Sequence, residues 1–175
     1  MITLVKATNK EQFVEGMRAA FYNDVDLKKY HIKPSDDYEE MVQDSLSNIY
    51  IVKGELAMDN YLVYWNDVLI GFTCISIMVD LLYSFGINVE YRNRVVVREW
   101  LSKVQDIIFK QGPHMNVLLY SKNTRAINFF RKNGFNFVFQ NKRMYGSDPA
   151  SLLIKRRFQK SIKMVNELEF EEGLG

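Results

Sequence analysis

The alternation of apolar and polar positions divides the first part of the chain into a strand and two helices. Residues 2–8 alternate as a strand does, and Asn9 with Gln12 three residues later resembles a capping box that opens a helix. After a polar stretch, apolar residues at helical spacing predict a second helix around residues 38–46. The chain therefore opens in the order strand, helix, helix.

The middle of the chain predicts consecutive strands. Residues 61–65 and 68–79 form a hairpin candidate across Asn66-Asp67, and residues 81–89 are the next apolar run. Residues 48–59 are ambiguous, with a short strand over 49–52 as one interpretation.

The second half of the chain alternates between strand and helix. The strongest helical pattern covers residues 94–111, with apolar residues on one face and Gly112-Pro113 as its stop. A strand, a short helix and further strands are predicted to follow, over residues 114–120, 124–132, 135–139 and 143–145.

Size and composition indicate one globular domain in a reducing compartment. The chain has 175 residues, of which 47% are hydrophobic and 14% aromatic, enough for a substantial core. A single cysteine, Cys74, excludes an internal disulfide and lies in an apolar run, where a core thiol is expected. The start lacks the pattern of a secretory signal, and the longest apolar run, 68–79, is too short for a membrane-spanning helix. We expect a cytoplasmic protein without a membrane segment.

The charges are distributed unevenly along the chain. Residues 1–91 contain 7 Lys and Arg against 14 Asp and Glu, whereas residues 92–163 contain 16 against 3. Such asymmetry indicates that the second half binds an anion and the first half a cation. The alternative is that the two sets neutralise each other in the fold.

A motif near residue 123 connects this pattern to a known family. A helix capped by Asn123 and closed by Gly134 follows an apolar strand, and Ala126, Phe129 and Phe135 complete the motif. The unit resembles the last motif of the GCN5-related N-acetyltransferase family, Asn-x-x-Ala-x-x-Phe-Tyr-x-x-x-Gly-Phe. The order of the predicted elements is also that of this family. The resemblance implies an α/β (α+β) fold with a mixed, mostly antiparallel central sheet flanked by helices.

The resemblance covers residues 1–146, which we take as the acetyltransferase-like domain. Residues 147–175 lie outside it, and Asp148-Pro149 resembles a helix start ahead of apolar residues at helical spacing. We expect a C-terminal helical extension. Packing of this helix on its own domain and a homodimer contact are equal alternatives.

The family's activity implies transfer of an acetyl group from acetyl-CoA to a primary amine of a small molecule or protein by direct attack. Its pyrophosphate loop, Arg/Gln-x-x-Gly-x-Gly/Ala, corresponds to residues 92–97, where both glycine positions hold valine. The loss of glycine reduces the room for phosphates beside the backbone. The cofactor contacts implied by the resemblance are Val89, Arg92, Arg94, Val95, Val97, Asn123, Arg125 and Phe130.

The catalytic acid and base are less well defined. Phe130 occupies the position of the tyrosine that acts as general acid in the family, and its side chain has no proton to donate. The remaining candidates for the acid are Tyr120, Tyr145 and water. Glu90, at the end of a predicted strand, is the first candidate for the base, and Asp80 the second.

In this family the acceptor enters beside the first two helices, a segment that is rich in acids in this chain. These acids predict steering of a cationic amine, and a solvated acidic surface is the alternative. They are Asp24, Asp26, Asp36, Asp37, Glu39, Glu40 and Asp44.

Other classes of function find less support. The two histidines, His31 and His114, are isolated in sequence and no metal-ligand spacing occurs, so we expect no metal. Basic residues interleaved with aromatics are compatible with nucleic-acid binding, but no binding motif accompanies them, and we do not expect it. The main rival is a degenerate family member that serves as a structural, binding or regulatory component, similar to some diverged domains encoded by tailed phages.

Overall fold

A computed structural model describes residues 1–31, 34–47, 51–52, 55–56, 59–76, 79–145 and 148–157, without the side chains of 51–58 and 141–149. The helices are α1 (Lys10–Phe21), α2 (Leu27–Tyr30), α3 (Tyr38–Ser47), α4 (Arg94–Phe109) and α5 (Thr124–Lys132). The strands are β1 (Ile2–Lys6), β2 (Ile51–Val52), β3 (Glu55–Leu56), β4 (Asp59–Trp65), β5 (Val68–Ser76), β6 (Leu81–Ile87), β7 (His114–Tyr120), β8 (Asn136–Tyr145) and β9 (Asp148–Arg156).

Seven of the strands form one mixed sheet in the order β1-β4-β5-β6-β7-β9-β8, and β2 pairs with β3. Among the described strands, β6 and β7 are the parallel pair, and all other neighbours are antiparallel. The predicted mostly antiparallel sheet is confirmed. The predicted hairpin is also confirmed, with Asn66 in its turn at φ 46°.

Two hydrophobic cores cover the sheet. One packs α1 and α3 against Phe72 and Cys74 of β5, and we call it the α1/α3 core. The other packs α4 and α5 against side chains of the sheet such as Ile75 of β5 and Leu82 of β6, and we call it the α4/α5 core. Since successive strand residues point to opposite faces, the cores lie on opposite sides of the sheet.

Short polar side chains fix the starts of the helices as expected from capping chemistry. Asn9 accepts a hydrogen bond from Gln12 N at 2.9 Å at the start of α1. Asp37 accepts from Glu39 N at 3.0 Å at the start of α3. Both predicted helices of the first part of the chain are therefore confirmed, and α1 and α3 pack together on one face.

The prediction that a helix begins at Asp148-Pro149 is wrong. Residues Asp148–Arg156 form β9, which lies between β7 and β8 and pairs with β7 from His114 to Tyr120. A short apolar run fits a buried strand as well as a helix. Pairing with β7 on one side and β8 on the other favoured the strand over the helix. Residues 158–175 lie outside the described residues, so a helical extension there and its homodimer contact remain predictions. The predicted domain boundary at residue 146 also remains a prediction.

Candidate active site

The sheet opens between its two parallel strands. β6 and β7 pair only at Leu81–Asn116 and Leu82–Val117 along their described residues. Immediately after this point, Tyr83 is an extra residue in β6, because Cys74 pairs with Ser84 while Ile75 pairs with Leu82. Such a bulge bends a strand and turns its side chains. The carboxyl ends of β6 and β7 therefore diverge.

A cavity of about 390 Å³ occupies this opening. Its walls include the diverging parts of both strands, from Tyr83 to Ile87 and from Leu118 to Tyr120. Residues from the α1/α3 side and from the α4/α5 side line it together, among them Phe21, Tyr30, His31, Ser45, Val97, Trp100, Ala126 and Phe129. The cavity is large enough for part of a small ligand and connects the two faces of the sheet.

The start of α4 is capped by its own sequence. Asn93 accepts hydrogen bonds from Val95 N and Val96 N, both at 3.1 Å. The Val95 side chain is 66% exposed and lies outside the cavity lining, whereas Val97 lines the cavity. The two valines therefore leave the cavity open, but an anion that binds these N–H groups has to replace the Asn93 side chain.

Arg92 is directed toward the segment after α1 and not toward the start of α4. Its Nε donates to Ile87 O at 2.8 Å and its Nη2 donates to Asp24 Oδ2 at 2.5 Å. The Asp24 side chain is only 1% exposed. Arg92 also lines the cavity, and its Nη1 is buried without a hydrogen-bond partner among the described residues.

The start of α5 faces the cavity. Asn123 caps this helix by accepting from Ala126 N at 3.2 Å, and Asn123, Arg125 and Ala126 all line the cavity. The Arg125 guanidinium lies 4.6 Å from the centre of the Tyr30 ring, a cation–π contact that bridges α5 and α2. Burial lowers the pKa of Arg125, and the nearby positive charge of Arg92 lowers it further.

Several residues predicted for the site lie away from the cavity. Phe130 is fully buried in the α4/α5 core, where its ring contacts those of Phe85, Trp100, Phe129 and Phe135. Its neighbour Phe129 lines the cavity in its place. Val89 and Glu90 lie on an exposed 3-10 turn outside the cavity lining, and Arg94 is exposed. Of the two predicted catalytic residues, Glu90 and Tyr120, only Tyr120 lines the cavity.

The structure brings together a pair that sequence reasoning missed. His31 Nε2 lies 2.9 Å from Ser45 Oγ, and both residues line the cavity. His31 Nδ1 is 3.9 Å from Asp44 Oδ2, and the His31 side chain is 9% exposed. Fourteen positions separate His31 from Ser45, with the start of α3 between them, so no spacing rule links them. The one available signal was the histidine itself.

Three of the acidic residues near α1–α3 form ion pairs with basic residues of the same segment. Asp26 pairs with Lys29, Glu39 with Arg18 and Asp36 with Lys28. No Asp or Glu occurs among the described residues that line the cavity. Three of the acids therefore form ion pairs with neighbouring basic residues at exposed positions.

The described residues offer neither a metal centre nor a membrane-spanning helix. They contain no group of three or more His, Cys, Asp and Glu side chains arranged to hold a metal ion. No helix within them has the length and hydropathy needed to cross a membrane. Cys74 is buried, and burial raises the pKa of its thiol to about 12.

Comparison with known sequences identifies the family. A sequence model described as "Acetyltransferase (GNAT) family" matches residues 18–135 of this 175-residue chain. The chain therefore belongs to the GNAT acetyltransferase family. The corresponding search of curated proteins finds no match.

Solved structures with the same fold share little sequence with this chain. An acetyltransferase from Thermus thermophilus is 15% identical with a TM-score of 0.65, over 88% of this chain and 97% of that one. A probable GNAT acetyltransferase from Chromobacterium violaceum is 14% identical with a TM-score of 0.67, over 89% and 82%. The ribosomal-protein-S18-alanine N-acetyltransferase from Escherichia coli is 16% identical with a TM-score of 0.58, over 93% and 97%. At this level of sequence identity, these similarities establish a shared fold.

Proposed function

We propose that this protein transfers an acetyl group from acetyl-CoA to a primary amine by direct attack. The observation that carries this proposal is the cavity between β6 and β7, which is lined from both faces of the sheet. A direct transfer needs the thioester and the amine to meet in one enclosed place, and such proximity supplies a large part of the rate. Membership of the GNAT family supports the same chemistry.

The α4/α5 side of the cavity is the proposed binding region for acetyl-CoA. Asn123 matches the family position that contacts the pantetheine arm, and it lines the cavity beside Ala126 and Phe129. Val97 adds an apolar wall. These groups suit an uncharged, partly apolar chain such as pantetheine.

The α1/α3 side of the cavity is the proposed place of the acceptor, with His31 as the general base. A protonated amine cannot attack, so one proton passes from the ammonium group through the Ser45 hydroxyl to His31 Nε2, which lies 2.9 Å from Ser45 Oγ. Asp44 Oδ2 lies 3.9 Å from His31 Nδ1, where its charge favours the protonated ring. This role replaces the one predicted for Glu90, whose exposed turn lies outside the cavity lining.

The transfer itself forms one bond and breaks one. The amine nitrogen bonds to the thioester carbonyl carbon, and the carbon–sulfur bond breaks to release the CoA thiolate. The nitrogen's second proton goes to the thiolate, and Tyr120, which lines the cavity, is the proposed donor and relay for it. The side chain of Tyr145, the alternative donor, lies outside those that the structure describes.

A second candidate is a degenerate member that has kept the fold without the activity. The observation that favours it is the start of α4, where valines replace both motif glycines and Asn93 already occupies the Val95 and Val96 N–H groups. A phosphate has less access there than in a glycine-rich loop.

Titration with CoA by calorimetry separates the two candidates. The enzyme hypothesis expects a dissociation constant between about 1 μM and 1 mM, the usual range of substrate affinities. Thiol release from acetyl-CoA on addition of a panel of amines then tests for transfer. Absence of CoA binding at millimolar concentration would leave the scaffold as the better explanation.

A further inference from the structure

One face of β8 and β9 carries apolar side chains that lie outside both described cores. Leu153 belongs to the α4/α5 core, and because side chains alternate along a strand, Leu152 and Ile154 point to the opposite face. Phe139 of β8 pairs with Leu152 and therefore lies beside it on this face. Leu152 and Ile154 are half-buried, Phe139 is 45% exposed, and neither core as described contains them. We call these three residues the β8/β9 patch.

The patch reaches the free edge of the sheet. β8 is the last strand in the order of the seven-stranded sheet, so one of its sides has no neighbouring strand among the described residues. Phe137 and Val138 precede Phe139 in this strand and are 51% and 49% exposed. An edge strand with consecutive exposed apolar residues is a template for pairing with other chains, and proteins cover such edges with a helix or a loop. A covering segment is therefore expected over this part of the sheet.

The chain beyond β9 leaves the sheet at one end of the patch. Arg157 N donates a hydrogen bond to Pro113 O at 2.7 Å, just before β7 begins. Residues 158–175 follow directly, and a helix of that length spans about 27 Å. The way back along β9 from Arg157 to Leu152 is about 17 Å. The segment is therefore long enough to turn and cover the patch.

The sequence of this segment gives it an apolar side of similar length. Its apolar residues at helical spacing are Phe158, Ile162, Val165 and Leu168. Lys163 and Glu167 fall on the opposite side of such a helix. From Phe158 to Leu168 a helix rises about 15 Å, which is close to the extent of the patch along β9.

Charge favours a segment that turns back along β9. Residues 164–175 contain four Glu and neither Lys nor Arg. Tyr120 pairs with Ala150 at the end of the sheet remote from Arg157, and Ala150 pairs with Asn141. The chain carries basic residues immediately beyond these positions, namely Lys122, Lys142 and Arg143. A segment that runs back from Arg157 brings its acidic end toward these positive charges.

We propose that residues 158–175 dock as a helix on the β8/β9 patch of their own chain. The tether gives the segment an effective concentration in the millimolar range, whereas a second copy competes only at its bulk concentration. Of the two alternatives that the sequence leaves open for this segment, packing on its own domain is therefore favoured over a homodimer contact. Docking of the segment is independent of the proposed acetyl transfer.

A pair of introduced cysteines tests the docking in the full chain, with Cys74→Ala to remove the natural thiol. Asn136→Cys is the probe on the sheet, because Asn136 is exposed and pairs with Ile154 on the face of the patch. It is combined with Val165→Cys on the apolar side of the segment, or with the matched control Lys163→Cys on the opposite side. A short bis-maleimide reagent is expected to link Asn136→Cys to Val165→Cys within one chain roughly tenfold faster than to the control.

Mass spectrometry of the linked product separates the outcomes. A link within one chain that favours Val165→Cys supports the docking. Equal rates for both cysteines would indicate a tail without a fixed face, and a doubled mass would assign the patch to a second copy. Absence of a link with either cysteine would show that this segment does not cover the patch. Each of the last three results would overturn the proposal.

Hydrogen exchange of the unsubstituted protein gives an independent readout. Amides of residues 162–169 are expected to exchange roughly tenfold or more slowly than in a free peptide of the same sequence. Val165→Asp should abolish this protection, because docking would bury an unpaired charge, while Lys163→Asp should keep it. Exchange as fast as in the free peptide would contradict docking in the parent protein.

Discussion

The two faces of the sheet differ in how their sequence relates to their chemistry. The α4/α5 face carries the family motif, and its motif positions Asn123, Ala126 and Phe129 reach the cavity directly. The α1/α3 face has no such motif, yet it supplies His31 and Ser45, the hydrogen-bonded pair that can move a proton. The comparison teaches that the motif residues of the proposed cofactor face come from one segment of the sequence, whereas the residues of the proposed acceptor face come from separate segments.

The largest expected effect comes from a substitution on the proposed acceptor face alone. His31→Gln removes the proposed base and should lower kcat for acetyl transfer roughly 10²- to 10⁴-fold, with little change in CoA affinity by calorimetry. In the parent protein the rate should fall toward acid pH, as a protonated imidazole cannot accept a proton. In the variant the rate should instead follow the fraction of free amine in solution and keep rising into alkaline pH.

His114→Gln is the matched control, because His114 begins β7 and does not line the cavity. Equal losses in the two variants would contradict a role for His31 as base.

A second substitution tests the α4/α5 face by restoring the family's tyrosine. Phe130→Tyr places a hydroxyl group in a core where Phe130 is 0% exposed and surrounded by four aromatic side chains. Urea unfolding should show a loss of about 1–3 kcal/mol, the cost of a buried hydroxyl without a partner, and transfer should not accelerate.

Phe129→Tyr is the control for this change, since Phe129 is half-buried and lines the cavity. Its stability should change by less than about 0.5 kcal/mol. A faster Phe130→Tyr enzyme would show that the core opens around this ring.

A third comparison is between Asn93 and Asn123, the asparagines that cap α4 and α5. Asn123→Ala and Asn93→Ala each remove a helix cap, so each should cost about 1 kcal/mol in urea unfolding. Only Asn123→Ala should weaken CoA binding, by roughly two- to tenfold. Asn93→Ala frees the Val95 and Val96 N–H groups and should leave CoA affinity unchanged or stronger.

Calorimetric titration of both variants provides the measurement. If Asn93→Ala loses as much affinity as Asn123→Ala, then Asn93 contacts the ligand itself and the distinction between the two helix starts disappears.

The smallest expected effect concerns the thiol of the α1/α3 core. Burial raises the pKa of Cys74 from 9.0 to about 12 in the folded protein, so the unfolded chain loses this proton first as the pH rises. Folding stability should therefore fall between pH 9 and about 12, by less than about 1 kcal/mol at pH 9.

Cys74→Ala isolates this contribution from the tyrosines that also titrate in alkali. Urea unfolding at neutral and alkaline pH should show a weaker pH dependence in the variant. An identical dependence would mean that the thiol remains accessible to water in the folded protein.

Much of the architecture could be predicted from local patterns. The alternating run of β1, the helical spacing of α4 and the caps Asn9 and Asn123 each depend on neighbouring residues alone. The helix predicted at Asp148 was wrong because a short run of apolar character suits either structure, and pairing with β7 and β8 determined the strand.

The candidate site was predictable on one side only. Five of the residues expected at the site line the cavity: Arg92, Val97, Tyr120, Asn123 and Arg125. Phe130 was expected there as well, but helical rotation turns it into the core and brings the preceding phenylalanine to the cavity.

The sequence by itself determined which segments are helices and strands over most of the chain, where most of them begin, and which family motif forms the start of α5, since these depend on contacts within a few residues. Only the tertiary structure decided the opening between β6 and β7, the place of β9, and the pairs His31–Ser45 and Arg92–Asp24. Arg92 and Asp24 are 68 positions apart, and no local pattern encodes a contact over that distance. Their geometry arises from the packing of whole elements on the two faces of the sheet.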